Sequence, residues 1–353
     1  MKPYFLVMLS LYFNLPEVIC GQEVPQTGPK VAGYEKVNEE ILNNMKLLNA
    51  SAATVALSRE GKLYFSRGYG WSDADKKIPT QPDTFMRIAS VSKPITAATV
   101  KHAIEQKKFQ LSDKAFSLLD ITPPGGKITD ERIHDITIEH LLTHKGGWDR
   151  STAFDPMFRM PTIQKELMLS GAVTPRNVVE YMLTQKLQFA PGEKTAYSNF
   201  GYCVLGRVLE QQFKKPYIAC VQELVLKPHK IDGIRLGQGS SSKRDPKEVW
   251  YPVSDTLFSL DVMDAHGGLI ASAPALCQFL DKYWISGDIR KPGQKAGYTF
   301  FGSLPGTTAM VLQRTDGWNV AVLLNGRRNS NIEKDTLNLR KTVSQAIDAI
   351  PIP

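Results

Sequence analysis

The feature that most constrains the fold is the placement of strand-like segments at both ends of the chain, around a helical middle. Near the amino terminus, Ser51–Ser58 and Lys62–Tyr69 are short apolar runs joined by Arg59-Glu60-Gly61, which predicts a β-hairpin. Three β-rich apolar segments return near the carboxyl terminus: Tyr298–Ser303, Thr308–Gln313 and Trp318–Leu324. This arrangement predicts one sheet built from both ends of the chain, with a helical insertion between them.

The middle of the chain carries helical patterns separated by loops rich in Pro, Gly and Ser. The clearest are Thr137–Thr143, Thr174–Leu187 and Tyr202–Gln212. Helices are also expected from Ser90 to about Gln106 and from Ile332 to Ile347. We therefore expect a discontinuous α/β sheet domain of residues 35–108 and 262–353, and a mainly helical domain of residues 109–261.

Composition and charge exclude several classes of protein. The chain has 353 residues and is 42% hydrophobic, which is too apolar for intrinsic disorder. Four Cys in this length are too few for a disulfide scaffold. The net charge is +8, but the cations are scattered and form no basic stripe interleaved with aromatic residues. The sequence therefore does not predict a nucleic-acid-binding protein.

Residues 1–21 have the pattern of a secretory signal peptide. Lys2 provides the positive charge expected near the amino-terminal end, and the apolar run Phe5–Leu15 is too short to span a membrane. A lipoprotein is disfavoured, because Ile19 precedes Cys20 where lipidation requires a small residue. The mature protein is therefore expected to be exported, either to a periplasm or to the medium.

Three cysteines remain after removal of this segment. They are Cys203, Cys220 and Cys277, and an odd number leaves at least one free thiol. Cys203 and Cys277 lie in apolar helical patterns. We therefore expect these two to be core thiols.

Ser90-Val91-Ser92-Lys93 is the first motif that could carry chemistry. At the start of a helix, residues three apart lie on the same side, so the Lys93 amine can reach the Ser90 hydroxyl. A desolvated lysine can lose its proton and act as the base that activates a serine. The spacing is weak alone, since Ser240–Lys243 repeats it in a loop that would not hold the geometry.

A second motif, Tyr197-Ser198-Asn199, adds two polar side chains. A tyrosine hydroxyl beside a lysine can relay a proton to a leaving group. The amide of Asn199 can both donate and accept, so it can orient a lysine and a substrate amide together. This motif is also short enough to occur by chance.

The context of these motifs, rather than either one alone, resembles a known family. Five blocks occur in order: Phe85-x-Arg87-Ile88-Ala89-Ser90-Val91-Ser92-Lys93, Ile138-x-His140-Leu141-Leu142-Thr143-His144-x-x-Gly147, Phe189-x-Pro191-Gly192-Glu193-x-x-x-Tyr197-Ser198-Asn199, Gly267-Gly268-Leu269-x-x-Ser272, and Gly302-Ser303-Leu304-Pro305-Gly306. The chain resembles the serine β-lactamase-related family, which includes class C β-lactamases, D-alanyl-D-alanine carboxypeptidases and esterases. The resemblance implies a β-lactamase/transpeptidase-like fold, an antiparallel sheet flanked by helices.

The resemblance also implies roles for individual residues. Ser90 would be the acylated nucleophile, Lys93 its base, and Tyr197 the group that shuttles protons to the leaving group. Asn199 would bind the substrate, and the backbone amides of Ser90 and Ser303 would form the oxyanion hole. The substrate would be a small molecule or a peptide, and neither a cofactor nor a metal is implied.

One position departs from the family pattern. Counting back from Gly302-Ser303, the position at which the family carries a cation is Phe300. Lys295 lies five residues too early, and His266 belongs to another glycine block. Because that cation helps the family to hold a substrate carboxylate, ester or peptide-type hydrolysis is favoured over β-lactamase activity. The alternative is an inactive member that binds a peptidoglycan-like or peptide ligand, with possible cell-wall association and an undetermined oligomeric state.

Several other residues have competing interpretations. His140 and His144 are four apart, a spacing suited to metal ligands, but no third ligand is evident and a structural role is favoured. Trp148 could line a groove, although packing is the favoured role. Arg87 is expected to make a structural pair where the two domains meet.

Overall fold

The computed structural model describes residues 23–239, 243–253 and 258–350. The predicted signal peptide, residues 1–21, lies outside the described residues, and so does Ser240 of the second serine–lysine match. Within the described ranges, no helix combines the length and apolar character needed to cross a bilayer.

The central element is a six-stranded antiparallel sheet. The strands of the protein are β1 (Gln26–Thr27), β2 (Ala52–Arg59), β3 (Lys62–Gly70), β4 (Met86–Arg87), β5 (Ile234–Leu236), β6 (Leu269–Ala271), β7 (Tyr298–Leu304), β8 (Thr307–Gln313) and β9 (Trp318–Leu324). The large sheet has the order β1-β3-β2-β9-β8-β7. Its two halves join where β2 pairs with β9, with Ala56 opposite Ala321. The fold class predicted from the sequence, including a sheet drawn from both ends, is confirmed.

A second, three-stranded sheet has the order β4-β6-β5. Met86 of β4 pairs with Ala271 of β6, and Ile234 of β5 pairs with the same residue from the other side. β5 comes from the middle of the chain, where the sequence suggested helices and loops. The small sheet therefore ties that middle segment to the strand that shortly precedes Ser90.

Helices cover both faces of the large sheet. In chain order the helices of the described residues are α1 (Glu35–Leu47), α2 (Ser92–Glu105), α3 (Ile138–Leu142), α4 (Met160–Glu166), α5 (Pro175–Met182), α6 (Asn199–Phe213), α7 (Tyr217–Val221), α8 (Ala273–Lys282) and α9 (Ile332–Asp348), with a π-helical turn at Gln222–Leu226. α1 and α9 pack together on one face, and α8 packs on the other. A hydrophobic core lies on each face of the sheet. Along β2, Val55 and Leu57 face the core beneath α1 and α9, whereas Ala52 and Ala56 face the core on the side of α8.

Two helix boundaries differ from the predictions. The helix expected to run from Thr174 to Leu187 ends at Met182, because the Thr184 amide and hydroxyl both bind the Tyr181 carbonyl and close a tight turn. The helix expected to begin at Tyr202 begins three residues earlier, at Asn199.

The cysteines follow the sequence prediction. Cys203 and Cys277 are buried free thiols in the core, as expected. Cys220 is also buried and free. Burial raises the pKa of the Cys203 thiol to about 12, so this group stays protonated.

Candidate active site

Ser90 lies on a tight turn between the small sheet and α2. A 3₁₀ turn, Ala89–Val91, carries Ser90 and leads directly into α2, which begins at Ser92. Ala89 has a φ of 46°, the left-handed region that costs energy for a residue other than Gly. Strain of this kind commonly marks a functional turn, and here it immediately precedes Ser90.

Lys93 is enclosed one turn further along, with only 1% of its surface exposed. Its Nζ atom lies close to three oxygens: Ser90 Oγ at 3.3 Å, Asn199 Oδ1 at 2.7 Å and the backbone oxygen of His266 at 2.9 Å. Burial holds the pKa of Lys93 well below that of a free lysine, because the interior disfavours the ammonium form. The amine is therefore suited to accept a proton.

The partners of Lys93 determine where its lone pair points. A neutral amine has two N–H groups and one lone pair. The Asn199 side-chain oxygen and the His266 backbone oxygen can only accept hydrogen bonds, so they occupy the two N–H groups. The lone pair then faces the Ser90 hydroxyl, which is the orientation a general base requires.

Tyr197 contacts the same hydroxyl. Its O–H donates to Ser90 Oγ at 2.8 Å. Burial raises the pKa of Tyr197 to about 12, so the phenol keeps its proton at neutral pH. Tyr197 is therefore arranged as a proton donor, whereas Lys93 is arranged as an acceptor.

The start of α6 places Tyr197 and Asn199. Ser198 is the N-cap of this helix, and its hydroxyl accepts the Gly201 amide at 3.2 Å. The Ser198 amide in turn donates to Nδ1 of His144 at 3.2 Å. The cap explains why the helix begins earlier than predicted, and it fixes Tyr197 just before the helix and Asn199 as its first residue.

Asp155 and Arg150 complete the site, and sequence reasoning missed both. The Asn199 Nδ2 group donates to Asp155 Oδ2 at 2.6 Å, which leaves the amide oxygen facing Lys93. Arg150 lies 3.5 Å from the same carboxylate oxygen and places its guanidinium 4.7 Å from the centre of the Tyr197 ring. The nearby Asp155 charge raises the pKa of Lys93, and the Arg150 charge lowers it.

Strand β7 forms another wall of the site. It is an edge strand of the large sheet, so every second amide on it is left unpaired by the sheet. A Cβ atom on Gly302 would lie 2.0 Å from the backbone oxygen of Ile88. Only glycine therefore allows the strand to lie against the turn that carries Ser90, and it brings Ser303 to the site.

These elements enclose a cavity of about 360 Å³. Its lining includes the predicted site residues Ser90, Tyr197, Asn199, Phe300 and Ser303. Other lining residues are Ala89, Arg150, Phe158, Met263, His266, Gly267, Thr299, Phe301 and Leu304. Lys295, the lysine that could have replaced the family's cation, lines a different cavity.

The structure shows the contacts of three residues whose roles the sequence left open. His140 is part of the capping box at the start of α3, and its Nδ1 accepts a hydrogen bond from the Thr137 amide at 3.3 Å. Trp148 is buried and packs edge-on against Phe200, with the ring centres 4.6 Å apart, and it lines a cavity separate from that of Ser90. Arg87 is buried with its guanidinium 3.8 Å from the centre of the Tyr251 ring, a structural contact.

His266 and His144 both lie beside the cavity that contains Ser90. The His266 ring is buried in the wall of the cavity, and burial keeps its pKa well below the usual value for histidine. The His144 ring packs 4.6 Å from the Tyr197 ring, and burial lowers the pKa of His144 to about 4. Both rings are therefore neutral at pH 7. Across the described part of the chain, no three His, Cys, Asp or Glu side chains are grouped to hold a metal ion.

Comparison with known proteins identifies the family. The sequence profile of the β-lactamase family matches residues 43–339. A probable fimbrial assembly protein of Dichelobacter nodosus, FimD of serogroup H1, is 30% identical over 288 residues, which cover 78% of this chain and 66% of that protein. The chain thus spans slightly less than two thirds of this relative, and it spans 36% of protein Flp of Staphylococcus aureus, to which it is 24% identical over 55% of its own length.

Solved structures show the same fold. The D-amino acid amidase of Ochrobactrum anthropi is similar with a TM-score of 0.66 and 17% identity, over 89% of this chain and 98% of that one. The β-lactamase/D-alanine carboxypeptidase of Yersinia pestis is similar with a TM-score of 0.66 and 15% identity, over the same shares. Together with the match over residues 43–339, these likenesses confirm the resemblance seen in the five sequence blocks, and the chain belongs to the β-lactamase family.

Proposed function

We propose that this protein is an exported serine hydrolase that cleaves a carboxylic ester or an amide through an acyl-enzyme on Ser90. The observation that carries the proposal is the position of the Ser90 hydroxyl, 3.3 Å from the buried Lys93 amine and 2.8 Å from the Tyr197 hydroxyl. A base and an acid thus meet at one nucleophile. Export rests on the signal-peptide pattern of residues 1–21.

In the proposed acylation step, Lys93 takes the proton of Ser90 while Oγ bonds to the substrate carbonyl carbon. The bond from that carbon to the leaving oxygen or nitrogen then breaks. Tyr197 gives its proton to the leaving group, and the Lys93 ammonium returns a proton to the Tyr197 oxygen. The result is an ester on Ser90 and a neutral leaving group, with every proton accounted for.

The oxyanion would be held by the backbone amides of Ser90 and Ser303. The close approach that Gly302 permits supports this assignment, since it brings β7 against the Ser90 turn. A single donor of this kind contributes about 3 to 4 kcal/mol to transition-state stabilisation. Water then attacks the acyl carbon while Lys93 takes one of its protons. The bond from that carbon to Ser90 Oγ breaks, Lys93 returns the proton to Oγ, and the acid product leaves.

The cavity wall supports ester or peptide-type hydrolysis above β-lactam hydrolysis. Phe300 has no charge at the position where the family places a cation, and Phe158 adds a second aromatic ring to the lining. An acyl group with an apolar substituent fits such a wall. The similarity to an amidase and to a carboxypeptidase is consistent with an amide substrate.

Intact-protein mass spectrometry and product analysis test the proposal. The protein is incubated with a p-nitrophenyl ester, a penicillin and a D-Ala-D-Ala peptide. We expect turnover of the ester or the peptide, with an acyl adduct on Ser90 when the reaction is quenched. Ser90→Ala should abolish both signals, whereas Ser117→Ala, at an exposed serine, should change neither. Folded protein that gives neither product nor adduct would support the inactive, ligand-binding alternative.

A further inference from the structure

His266 is a buried side chain in the wall of the Ser90 cavity that lacks the hydrogen bonds such a group normally makes. Only 2% of its surface is exposed, and the residue lines the cavity. Its Nε2 atom is enclosed without a hydrogen-bond partner among the described residues. Nδ1 has no partner there either, but it is not enclosed, so it is the ring nitrogen that faces the cavity. Because buried polar groups are normally paired, the ring favours a small polar ligand from the cavity, such as a water molecule.

The loop that carries His266 is fastened on both sides. The Thr96 hydroxyl donates to the Ala265 carbonyl at 2.6 Å, and the Leu269 amide donates to Ser92 Oγ at 3.2 Å. Both hydroxyls belong to α2, the helix that also carries the proposed base. The imidazole is therefore held at a fixed position relative to that base.

The backbone of His266 also contacts the base directly. Its carbonyl oxygen accepts a hydrogen bond from Lys93 Nζ at 2.9 Å, and that amine lies 3.3 Å from Ser90 Oγ. The next residue, Gly267, lies alongside the turn that carries Ser90, since a Cβ atom there would be 3.9 Å from the backbone carbonyl carbon of Ala89. The imidazole thus belongs to the part of the wall that is nearest to both the base and the nucleophile.

The other polar side chains around Lys93 are already engaged. Asn199 uses its oxygen for Lys93 and its Nδ2 group for Asp155. Tyr197 donates its hydrogen to the nucleophile. Arg150 has only N–H groups and cannot accept a hydrogen bond. The neutral imidazole, by contrast, carries one N–H group and one lone pair, and it has no hydrogen-bond partner within the described ranges.

We propose that His266 Nδ1 accepts a hydrogen bond from the water that hydrolyses the acyl-enzyme on Ser90. This inference rests on the proposed hydrolase function and assigns a positioning residue to its second step. The hydrogen of the neutral ring then lies on Nε2. One hydrogen of the water is directed to Lys93 and the other to Nδ1, which leaves a lone pair of the water oxygen for the acyl carbon.

The protons of this step balance without a change on the imidazole. The water oxygen bonds to the acyl carbon while Lys93 takes one proton. The second hydrogen stays on the water oxygen and keeps its hydrogen bond to His266. The bond from the acyl carbon to Ser90 Oγ then breaks, Lys93 returns its proton to Oγ, and the carboxylic acid leaves. His266 therefore acts in deacylation, whereas acylation uses no water and does not depend on the ring.

The kinetics of p-nitrophenyl acetate separate the two steps. The burst of p-nitrophenol reports acylation. The decay of the acetyl adduct in intact-protein mass spectra, after excess ester is removed, reports deacylation. His266→Phe keeps a planar ring and removes the lone pair. We expect it to lower the deacylation rate about tenfold or more and to leave the acylation rate within about twofold, so that the acetyl adduct on Ser90 accumulates.

Two variants and a second nucleophile serve as controls. His266→Asn places an amide oxygen close to the position of Nδ1 and should restore part of the deacylation rate. His134→Phe, at an exposed histidine, should leave both rates unchanged. Hydroxylamine attacks an ester without help from a base, so it should release the acetyl group from the wild-type protein and from His266→Phe at rates within about twofold.

Stability distinguishes this role from a packing role. Because Nε2 has no hydrogen-bond partner in the described part of the chain, His266→Phe should not lower the midpoint of urea denaturation. A lower midpoint, an unchanged deacylation rate, an equal loss in acylation, or His266→Asn no faster than His266→Phe would each refute the water-positioning role. Folded wild-type protein that gives neither a burst nor an adduct on Ser90 would instead refute the hydrolase function, and this inference with it.

Discussion

The Lys93 amine donates a 2.7 Å hydrogen bond to the side-chain oxygen of Asn199, which joins the first turn of α2 to the first residue of α6. The orientation of that amide depends on Asp155, which accepts its Nδ2 group. Asp155 is paired in turn with Arg150. The proton affinity of the proposed base is thus linked to two charged side chains from a loop between the helices.

This link predicts opposite pH shifts for two variants. Lys93 must be neutral to act as a base, so kcat/KM should fall as the pH drops through its pKa. Asp155→Asn removes a charge that raises the pKa of Lys93, and should move the acid limb of the profile to lower pH. Arg150→Met removes a charge that lowers this pKa, and should move the limb to higher pH.

The measurement is kcat/KM for a neutral ester as a function of pH, with Lys194→Met as a control at an exposed cation that does not perturb Lys93. The control should leave the acid limb in place. Shifts of the same sign in the Asp155 and Arg150 variants would contradict the proposed electrostatic link to Lys93.

Tyr197→Phe should lower kcat/KM for the same ester by about 100-fold or more, because it removes the phenol that donates to Ser90 Oγ. Since the pKa of Tyr197 is raised to about 12, the wild-type profile should show no alkaline limb from this group below about pH 10. An alkaline limb near neutral pH that disappears in the variant would show that Tyr197 works as a phenolate instead.

Phe300→His tests the account of the missing cation. A hydrogen-bond donor at this position on β7 should raise the rate of acylation of Ser90 by penicillin several-fold, measured by stopped-flow or by the rate of adduct formation in intact mass spectra. Tyr298→His, at an exposed residue of the same strand that does not line this cavity, is the matched control and should leave the rate unchanged. An unchanged rate in the Phe300 variant would contradict the role given to this position.

The buried pair of Arg207 and Asp264 should contribute strongly to stability. Their side chains are 5% and 8% exposed, and Arg207 Nη2 donates to Asp264 Oδ2 at 2.5 Å. Arg207→Met would leave a buried carboxylate without its cation, and should lower the free energy of unfolding by about 3 to 5 kcal/mol. Arg176→Met, which removes an exposed arginine paired with Glu180, should cost less than about 1 kcal/mol. Similar losses for both variants in urea denaturation would contradict this expectation.

Much of the fold follows from local patterns in the sequence. The hairpin at Arg59-Glu60-Gly61 and the turn at Thr315-Asp316-Gly317 are set by residues that are close in the chain. Ser90 and Lys93 are three apart, and Tyr197 and Asn199 are two apart, so each motif is visible locally. The contacts of Tyr197 with Ser90 and of Asn199 with Lys93 are tertiary, and the sequence predicted that the two motifs share one site only through the family resemblance.

The residues that sequence reasoning missed have no local signal. Asp155 and Arg150 lie in a loop, where a carboxylate and a guanidinium usually mark only a solvated surface. The small strand β5 has three residues, too few for a periodic pattern to reveal it.

The most direct test of the central claim is the rate at which an alkyl fluorophosphonate labels the protein, followed by intact mass spectrometry. Because a buried base lies beside Ser90, we expect the wild-type protein and Ser117→Ala each to form a single adduct at this residue. Ser90→Ala should not be labelled, and Lys93→Met should be labelled about 100-fold more slowly or not at all. Labelling that persists in folded Ser90→Ala, or a wild-type protein that remains unlabelled, would contradict the assignment of Ser90 as the nucleophile.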